Sequence, residues 1–351
     1  MTREQRKLDH IRYALESGGV NRGTGLEDVR FLHNCLTPVD PDKVDISTRI
    51  GSLKLPVPVF IDAITGGARE VKEINRRLAA VAREAGVVMA VGSQYGALKE
   101  GLHADTYKVV REENPEGIVF ANVSALVSPE EAKAAVDMIA ADALEIHLNV
   151  AQELIMPEGD KTFSRIPGNL SRLQDCVPVP VIIKETGCGM AVEQIRELQA
   201  GGFTCFNIAG RGGTSFAAIE AARGKTKRYE KFAEWGIPTA WSIIDAAHGL
   251  QPWDTLIASG GIRSGLDAAK AIALGADAVA MSGNILAVLL QQGDEAAVSY
   301  LRDVIADLKD IMVLTGSCTV RELQQVPMIY TGDTLAFIQS RGYEPRFKRK
   351  R

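Results

Sequence analysis

The sequence has no pattern of paired cysteines. Its five cysteines, Cys35, Cys176, Cys188, Cys205 and Cys318, are odd in number and scattered, and no two form a Cys-x-x-Cys pair. A disulfide framework and a cysteine-based zinc site are both disfavoured, and a reducing cytoplasm fits. No apolar run approaches the ~18 residues of a membrane-spanning helix. The opening residues, "MTREQRKLDHIRYAL", are charged and lack the apolar stretch of a secretory signal. Strong positive charge is missing too: the formal net charge is −4, so nothing in the bulk electrostatics points to nucleic acid. Basic residues do gather at the two ends, in "TREQRK" and "RFKRKR", and the second reads as a solvated tail. These absences predict a cytoplasmic protein without a membrane or nucleic-acid partner.

What remains is an ordinary globular balance. The chain has 351 residues, 46% of them apolar and 24% charged, enough for a large core. Eight short, nearly continuous apolar runs recur at 58–62, 87–92, 117–122, 143–148, 180–185, 205–209, 255–260 and 277–282. Strands buried on both faces lose strict alternation, as in parallel sheets. Between the runs lie segments with helical spacing, such as 70–85, 129–141 and 190–200. Eight β–α units predict a (β/α)8 TIM barrel, with a doubly wound sheet as the alternative. The expected organisation is one domain over 1–351: an N-terminal arm (1–50), the barrel (56–285), then C-terminal helices and the basic tail (286–351). Amphipathic runs at 297–310 and 318–324 mark those helices, and the interval 209–254 is too long for a plain loop.

Barrel chemistry sits at the C-terminal ends of the strands. Those ends carry Ala63-Ile64-Thr65-Gly66-Gly67, Ser93-Gln94, Asn122, Lys184-Glu185, Gly210 to Thr214, Gly260 to Gly265 and Ser282-Gly283-Asn284. The last two sets suit a phosphate, because glycine permits close backbone approach and helix starts offer free N–H groups. Ser264-x-x-Asp267 reads as a capping box. Lys184 ends an apolar strand, so it is either half of a barrel ion pair or a cation beside a ligand that becomes negative. Thr65, Ser93, Asn122 and Thr214 add neutral donors and acceptors around the rim. A phosphate on one side and a lysine at the centre would suit flavin mononucleotide (FMN), with Lys184 favouring the reduced anion.

The fourth run leads into "LEIHLNVAQELIMPEGD" (144–160). Strand alternation puts Glu145, His147 and Asn149 on one face and Leu144, Ile146 and Leu148 on the other. A lone histidine without a second ligand at metal spacing makes zinc improbable. Glu153 is either a magnesium contact, since Mg²⁺ keeps waters and takes few protein ligands, or a solvated helix-start glutamate.

Taken together, "RKLDHI" (6–11), "ITGG" (64–67), "GSQ" (92–94), "HLNVAQELIMPEGD" (147–160), "KETGCGM" (184–190), "GRGGTS" (210–215), "EWGIPT" (234–239) and "SGGIRSGLD" (259–267) resemble, in order, the type 2 isopentenyl diphosphate isomerases. The resemblance spans nearly the whole chain. It implies a cytoplasmic homo-oligomer, commonly a tetramer, that uses FMN and Mg²⁺ to interconvert isopentenyl and dimethylallyl diphosphate for isoprenoid biosynthesis. NADPH or another reductant would reduce the flavin, with no net redox change. By the same resemblance Arg6, Lys7 and His10 would hold the diphosphate, His147, Asn149 and Gln152 would line the substrate site, and Glu153 would take Mg²⁺. Gln152 would relay or position a proton, with Glu153 nearby. Ala63, Ile64, Thr65, Ser93, Asn122, Lys184, Thr214, Gly261, Ile262, Arg263, Ser282 and Gly283 would hold FMN.

The sequence departs from that pattern in places. Asp62-Ala63-Ile64 stands where Asn-Ala-Met is common, Cys188 where Phe is common and Phe216 where Trp is common. Tyr95 follows "GSQ" where the pattern varies. An FMN-dependent oxidoreductase is the alternative, but it would need an acid or base such as His or Cys beyond the sixth or seventh strand. The sixth and seventh ends, "GRGGTS" and "SGGIRS", offer neither.

Overall fold

Eight parallel strands close on themselves in the computed structural model, which describes residues 11–12, 23–223 and 231–344. In chain order the strands are β1 (Val29–Phe31), β2 (Thr48–Ile50), β3 (Leu53–Leu55), then the barrel strands β4 (Val59–Ile61), β5 (Val88–Ala90), β6 (Val119–Ser124), β7 (Ala143–Leu148), β8 (Val181–Glu185), β9 (Cys205–Asn207), β10 (Thr255–Ala258) and β11 (Ala278–Met281), and last β12 (Met328–Tyr330). Each barrel strand pairs with its successor, and β11 pairs with β4 in parallel to close the ring. Every one of the eight apolar runs supplies one of these strands. The doubly wound alternative is excluded by that closure.

The core has two compartments. One lies between the strands and the outer helices, where Leu78, Val110, Ile195 and Ile272 are fully buried. Inside the lower barrel lies the second, with Phe60, Phe120, Ile182 and Ile257. Phe60 and Phe120 meet there edge to face, with ring centroids 5.6 Å apart. The antiparallel hairpin β2–β3 contributes Ile50 and Leu55 to this lower layer. Residues expected to form an arm ahead of the barrel therefore include part of its interior packing. Among the helices of the C-terminal region stands one short strand that the sequence did not signal: β12 pairs antiparallel with β1, Val29 opposite Tyr330. The second amphipathic run is helical only over Val320–Leu323, while the first lies within the long helix Asp294–Thr315.

Among its described residues, the long interval after β9 carries the helices Phe216–Arg223 and Thr239–Ala247. The second occupies the ordinary crossover position before β10. The first is extra, and it packs against the short helix Val150–Ile155 that follows β7. That contact places one wall of the barrel mouth.

Candidate active site

A cavity of about 410 Å³ opens at the C-terminal ends of the barrel strands, a volume suited to a small-molecule ligand. Its lining includes Ala63, Ile64, Thr65, Ser93, Asn122, Lys184, Thr214, Gly261, Ile262, Arg263, Ser282 and Gly283, all twelve of the residues expected to hold FMN. His147, Asn149, Gln152 and Glu153 line the same cavity. Arg6, Lys7 and His10 lie outside the described residues, but Ile11, the next residue along, reaches the cavity.

One side is built for close backbone approach. Gly260 and Gly261 follow β10 with φ of 99° and 80°, values that disfavour a side chain. A Cβ on Gly260 would lie 2.0 Å from the Gly210 carbonyl oxygen, and one on Gly261 2.3 Å from that of Gly212. The loops after β9 and β10 are thus pressed together. Ser264 caps the helix Gly265–Ala273 by accepting from Asp267 N, as expected. The return bond differs: the Asp267 carboxylate takes Arg263 N at 3.0 Å rather than the cap residue's own N–H. The helix Gly283–Gln292, after β11, has no such side-chain cap. Its first amides and the Thr214 hydroxyl, 3.3 Å from where a Gly283 Cβ would stand, form a donor set at a positive helix end.

The centre is a buried polar network. Asn122 donates through Nδ2 to Glu145 Oε2 at 2.9 Å, and its Oδ1 faces His147 Nδ1 at 2.9 Å. Asn207 reaches the other Glu145 oxygen at 3.5 Å and accepts from the Ser259 hydroxyl at 2.7 Å. Lys184 Nζ donates to Asp62 Oδ2 at 2.7 Å. Burial and the charge of Asp62 push the Glu145 carboxyl up to about 7, against the pull of Lys184 and two amides. Burial opposes the Lys184 ammonium, yet Asp62 and Glu145 more than offset it and its pKa is raised. Of the two readings the sequence left open for Lys184, the ion pair is present, and the lysine also lines the cavity.

The loop after β8 is held by Glu185, whose carboxylate accepts the N–H groups of Thr186, Gly187 and Cys188. Burial pushes this carboxyl up to about 7 against those three bonds. The neighbouring Cys188 thiol is pushed up to about 12 by burial and by Glu185, so it is not a ready nucleophile.

The opposite wall is the helix Val150–Ile155. The strand stops at Leu148, and Asn149, expected on the strand, instead takes the position ahead of this helix. Asn149 Nδ2 donates to Gln152 Oε1 at 3.2 Å and to Glu153 Oε1 at 3.0 Å. Gln152 Nε2 in turn donates to Glu220 Oε1 at 3.4 Å. Both ends of the Gln152 amide are therefore assigned, and its carboxylate partner is Glu220 on the extra helix, not Glu153. Sequence reasoning missed Glu220. The available signal was a lone glutamate inside the apolar run "FAAIEAA" of an interval too long for its place. Glu220 is fully buried and also pairs with Arg223, which bridges to Glu158 at 2.8 Å.

The residues present fit a flavin phosphate and ring. The hydroxyl of Thr65 is buried in the lining without a hydrogen-bond partner, a donor-acceptor that a ligand can satisfy. For a metal, no group of three or more His, Cys, Asp or Glu stands together among the described residues. Glu153, held by Asn149 and by Asp160 N at 2.8 Å, borders the cavity together with the carboxylates of Glu158 and Asp160.

Comparisons with known proteins agree with this geometry. The family model for FMN-dependent dehydrogenases matches residues 125–329. Curated proteins named isopentenyl-diphosphate delta-isomerase are similar along the whole chain. That of Bacillus licheniformis is 45% identical over 98% of each chain. The Bacillus cytotoxicus protein is 46% identical over 100% of each, and the Symbiobacterium thermophilum protein 43% identical over 97% of this chain and 96% of its own. Among solved structures, mandelate oxidase with (S)-2-phenylpropionate aligns with a TM-score of 0.66 at 18% identity, covering 92% of this chain and 98% of that one. That likeness concerns the fold alone. No helix among the described residues is long and apolar enough to cross a membrane.

Proposed function

The chain belongs to the isopentenyl-diphosphate delta-isomerase family and is an FMN-dependent isomerase, and from that premise we propose the reaction and the part each residue plays. The substrate pair is isopentenyl and dimethylallyl diphosphate, with Mg²⁺ on the diphosphate and NADPH as the source of reducing equivalents. The observation that carries this reading is the pinned Gln152 amide. It stands on the wall of a cavity whose other side is a glycine-lined donor set.

The reaction moves a double bond by one carbon. One proton must reach an unactivated alkene and another must leave the neighbouring CH₂, and no ordinary side-chain acid is matched to that alkene. Reduced FMN, when bound, would supply an acid/base and electron density beside the alkene and end in the oxidation state it began with. The donor set of Thr214, Gly261 to Arg263, Ser282 and Gly283 would take its phosphate. Ala63, Ile64, Thr65, Ser93, Asn122 and Lys184 would meet the ring and ribityl chain.

The protein's own residues supply position. Asn149 and Glu220 hold the Gln152 amide in one orientation, so Gln152 presents a fixed donor and acceptor to the substrate and can hold a proton in passage. Glu153 would take the metal, with His147 and the arm residues Arg6, Lys7 and His10 on the diphosphate through charge-assisted bonds. Ile11 in the cavity lining supports an arm that comes over the site and excludes water when substrate binds. One domain, a homotetramer and a cytoplasmic location complete the proposal.

Flavin binding tests its base. Titration of the purified chain with FMN should give a saturable perturbation of the flavin absorbance, and added isopentenyl diphosphate, Mg²⁺ and NADPH should then yield dimethylallyl diphosphate. A protein that leaves the FMN spectrum untouched would end the proposal.

A further inference from the structure

The Lys184 ammonium does not meet the cavity as an isolated positive charge. Its Nζ lies 2.7 Å from Asp62 Oδ2, and the two side chains are 7% and 5% exposed. Asp62 directly follows β4, across the barrel from β8, and its backbone N–H is held by the Met281 carbonyl at 2.9 Å. Its second carboxylate oxygen, Oδ1, accepts from Ala63 N at 2.8 Å. Both oxygens are thus committed, one to the chain's own turn and one to the lysine. The carboxylate cannot swing away from Nζ without breaking both bonds. Asp62, Ala63 and Lys184 all line the cavity, so the pair itself borders the ligand.

Two opposite charges at this separation act on a third group mainly as a dipole, whose field falls off faster than that of a single charge. Burial keeps water from screening either partner. A lysine facing a flavin alone would stabilise the negative reduced form; a lysine already matched by a carboxylate would do so far less. Glu145, also inside the barrel, adds a second acidic group and no further cation.

Resting on the FMN-dependent reading above, we propose that Asp62 is a positioning residue that sets the reduction potential of bound FMN. By holding and neutralising Lys184 it keeps that potential below the value a bare lysine would impose. A flavin that serves as an acid/base rather than as an electron carrier is not required to be a good electron acceptor. A matched pair at this point would also leave the proton affinity of the reduced ring nearer its solution value.

The test is the reduction potential of the FMN-loaded protein, measured by spectroelectrochemical titration in wild type, Asp62→Asn and Asp62→Ser. Asparagine keeps the shape and, through its single amide oxygen, one of the two bonds, and serine removes the charge with a different shape. Thermal unfolding of each loaded protein separates misfolding from tuning. Both variants should bind reduced over oxidised FMN at least tenfold more selectively than wild type, a rise of about 30 mV for a two-electron couple. An unchanged or lowered potential in the folded variants overturns the inference and leaves the FMN-dependent reading standing. If one variant fails to hold flavin, the other decides. Failure of the wild type itself to bind FMN would instead remove the reading on which this rests.

Discussion

His147 Nδ1 lies 2.9 Å from Asn122 Oδ1, and Glu145 decides which way that amide points. The Glu145 Oε2 atom, 2.9 Å away, claims the Asn122 NH₂ group. The amide oxygen is left to face the imidazole, so Nδ1 carries the hydrogen and Nε2 is the nitrogen set toward other partners. The tautomer follows from this hydrogen-bond network. Asn122→Ala would leave a buried carboxyl oxygen and an imidazole nitrogen unmatched. The expected cost is about 1–3 kcal/mol of stability in urea denaturation, together with weakened FMN binding. Unchanged stability would mean that water takes over both bonds.

Gln152→Ala should keep the flavin bound and lower turnover by a factor on the order of 10²–10⁴, the usual reach of a positioned proton-transfer group. Glu220→Gln retains a partner for the Gln152 amide but removes its charge, so it should cost less. Steady-state rates at saturating FMN distinguish the two. Full activity in Gln152→Ala would remove that residue from the mechanism.

Lys184→Ala should destabilise the apoprotein by about 3–5 kcal/mol, because Asp62 would stay buried without its partner. Reduced FMN should be weakened more than oxidised FMN. Equal losses for the two forms would contradict any part for the lysine's charge, whereas chemical denaturation reads the structural cost by itself.

Stability should decline as pH rises through the range between the ordinary carboxyl value of 4.5 and about 7. Burial raises the Glu145 carboxyl in the folded chain, so folded protein holds a proton there that unfolded protein has released. That contribution is complete below the unfolded value and is lost as pH climbs through the folded one. Glu185, also pushed up to about 7, acts in the same direction. Urea midpoints at pH 5 and pH 7 should therefore differ less in Glu145→Gln than in wild type, with Glu185 responsible for a remaining slope. An identical pH dependence would show that Glu145 titrates normally.

Much of this was legible in the sequence, for a local reason. Continuous apolar runs and glycine-rich strand ends are local signals, and a barrel brings eight such ends to one place. That is why Thr65 near one end of the chain and Ser282 near the other border one cavity. Pairings that carry no local signal were not legible. Asp62 and Lys184 are separated by 122 positions, and Gln152 and Glu220 by 68. Only closure of the ring brings the first pair together, and only the packing of an extra helix on Val150–Ile155 brings the second. The β1–β12 pairing and the hairpin in the lower barrel escaped notice for a further reason. Three-residue strands are too short for a two-residue period to stand out.

The amount of reductant consumed per product tests the central claim most directly. Isopentenyl diphosphate is incubated with the FMN-loaded protein and Mg²⁺ under anaerobic conditions, with NADPH limited to about the enzyme concentration. Many equivalents of dimethylallyl diphosphate per NADPH oxidised are expected, because the flavin returns to its starting state. Consumption of one NADPH for each product molecule would contradict the account and make the protein an oxidoreductase.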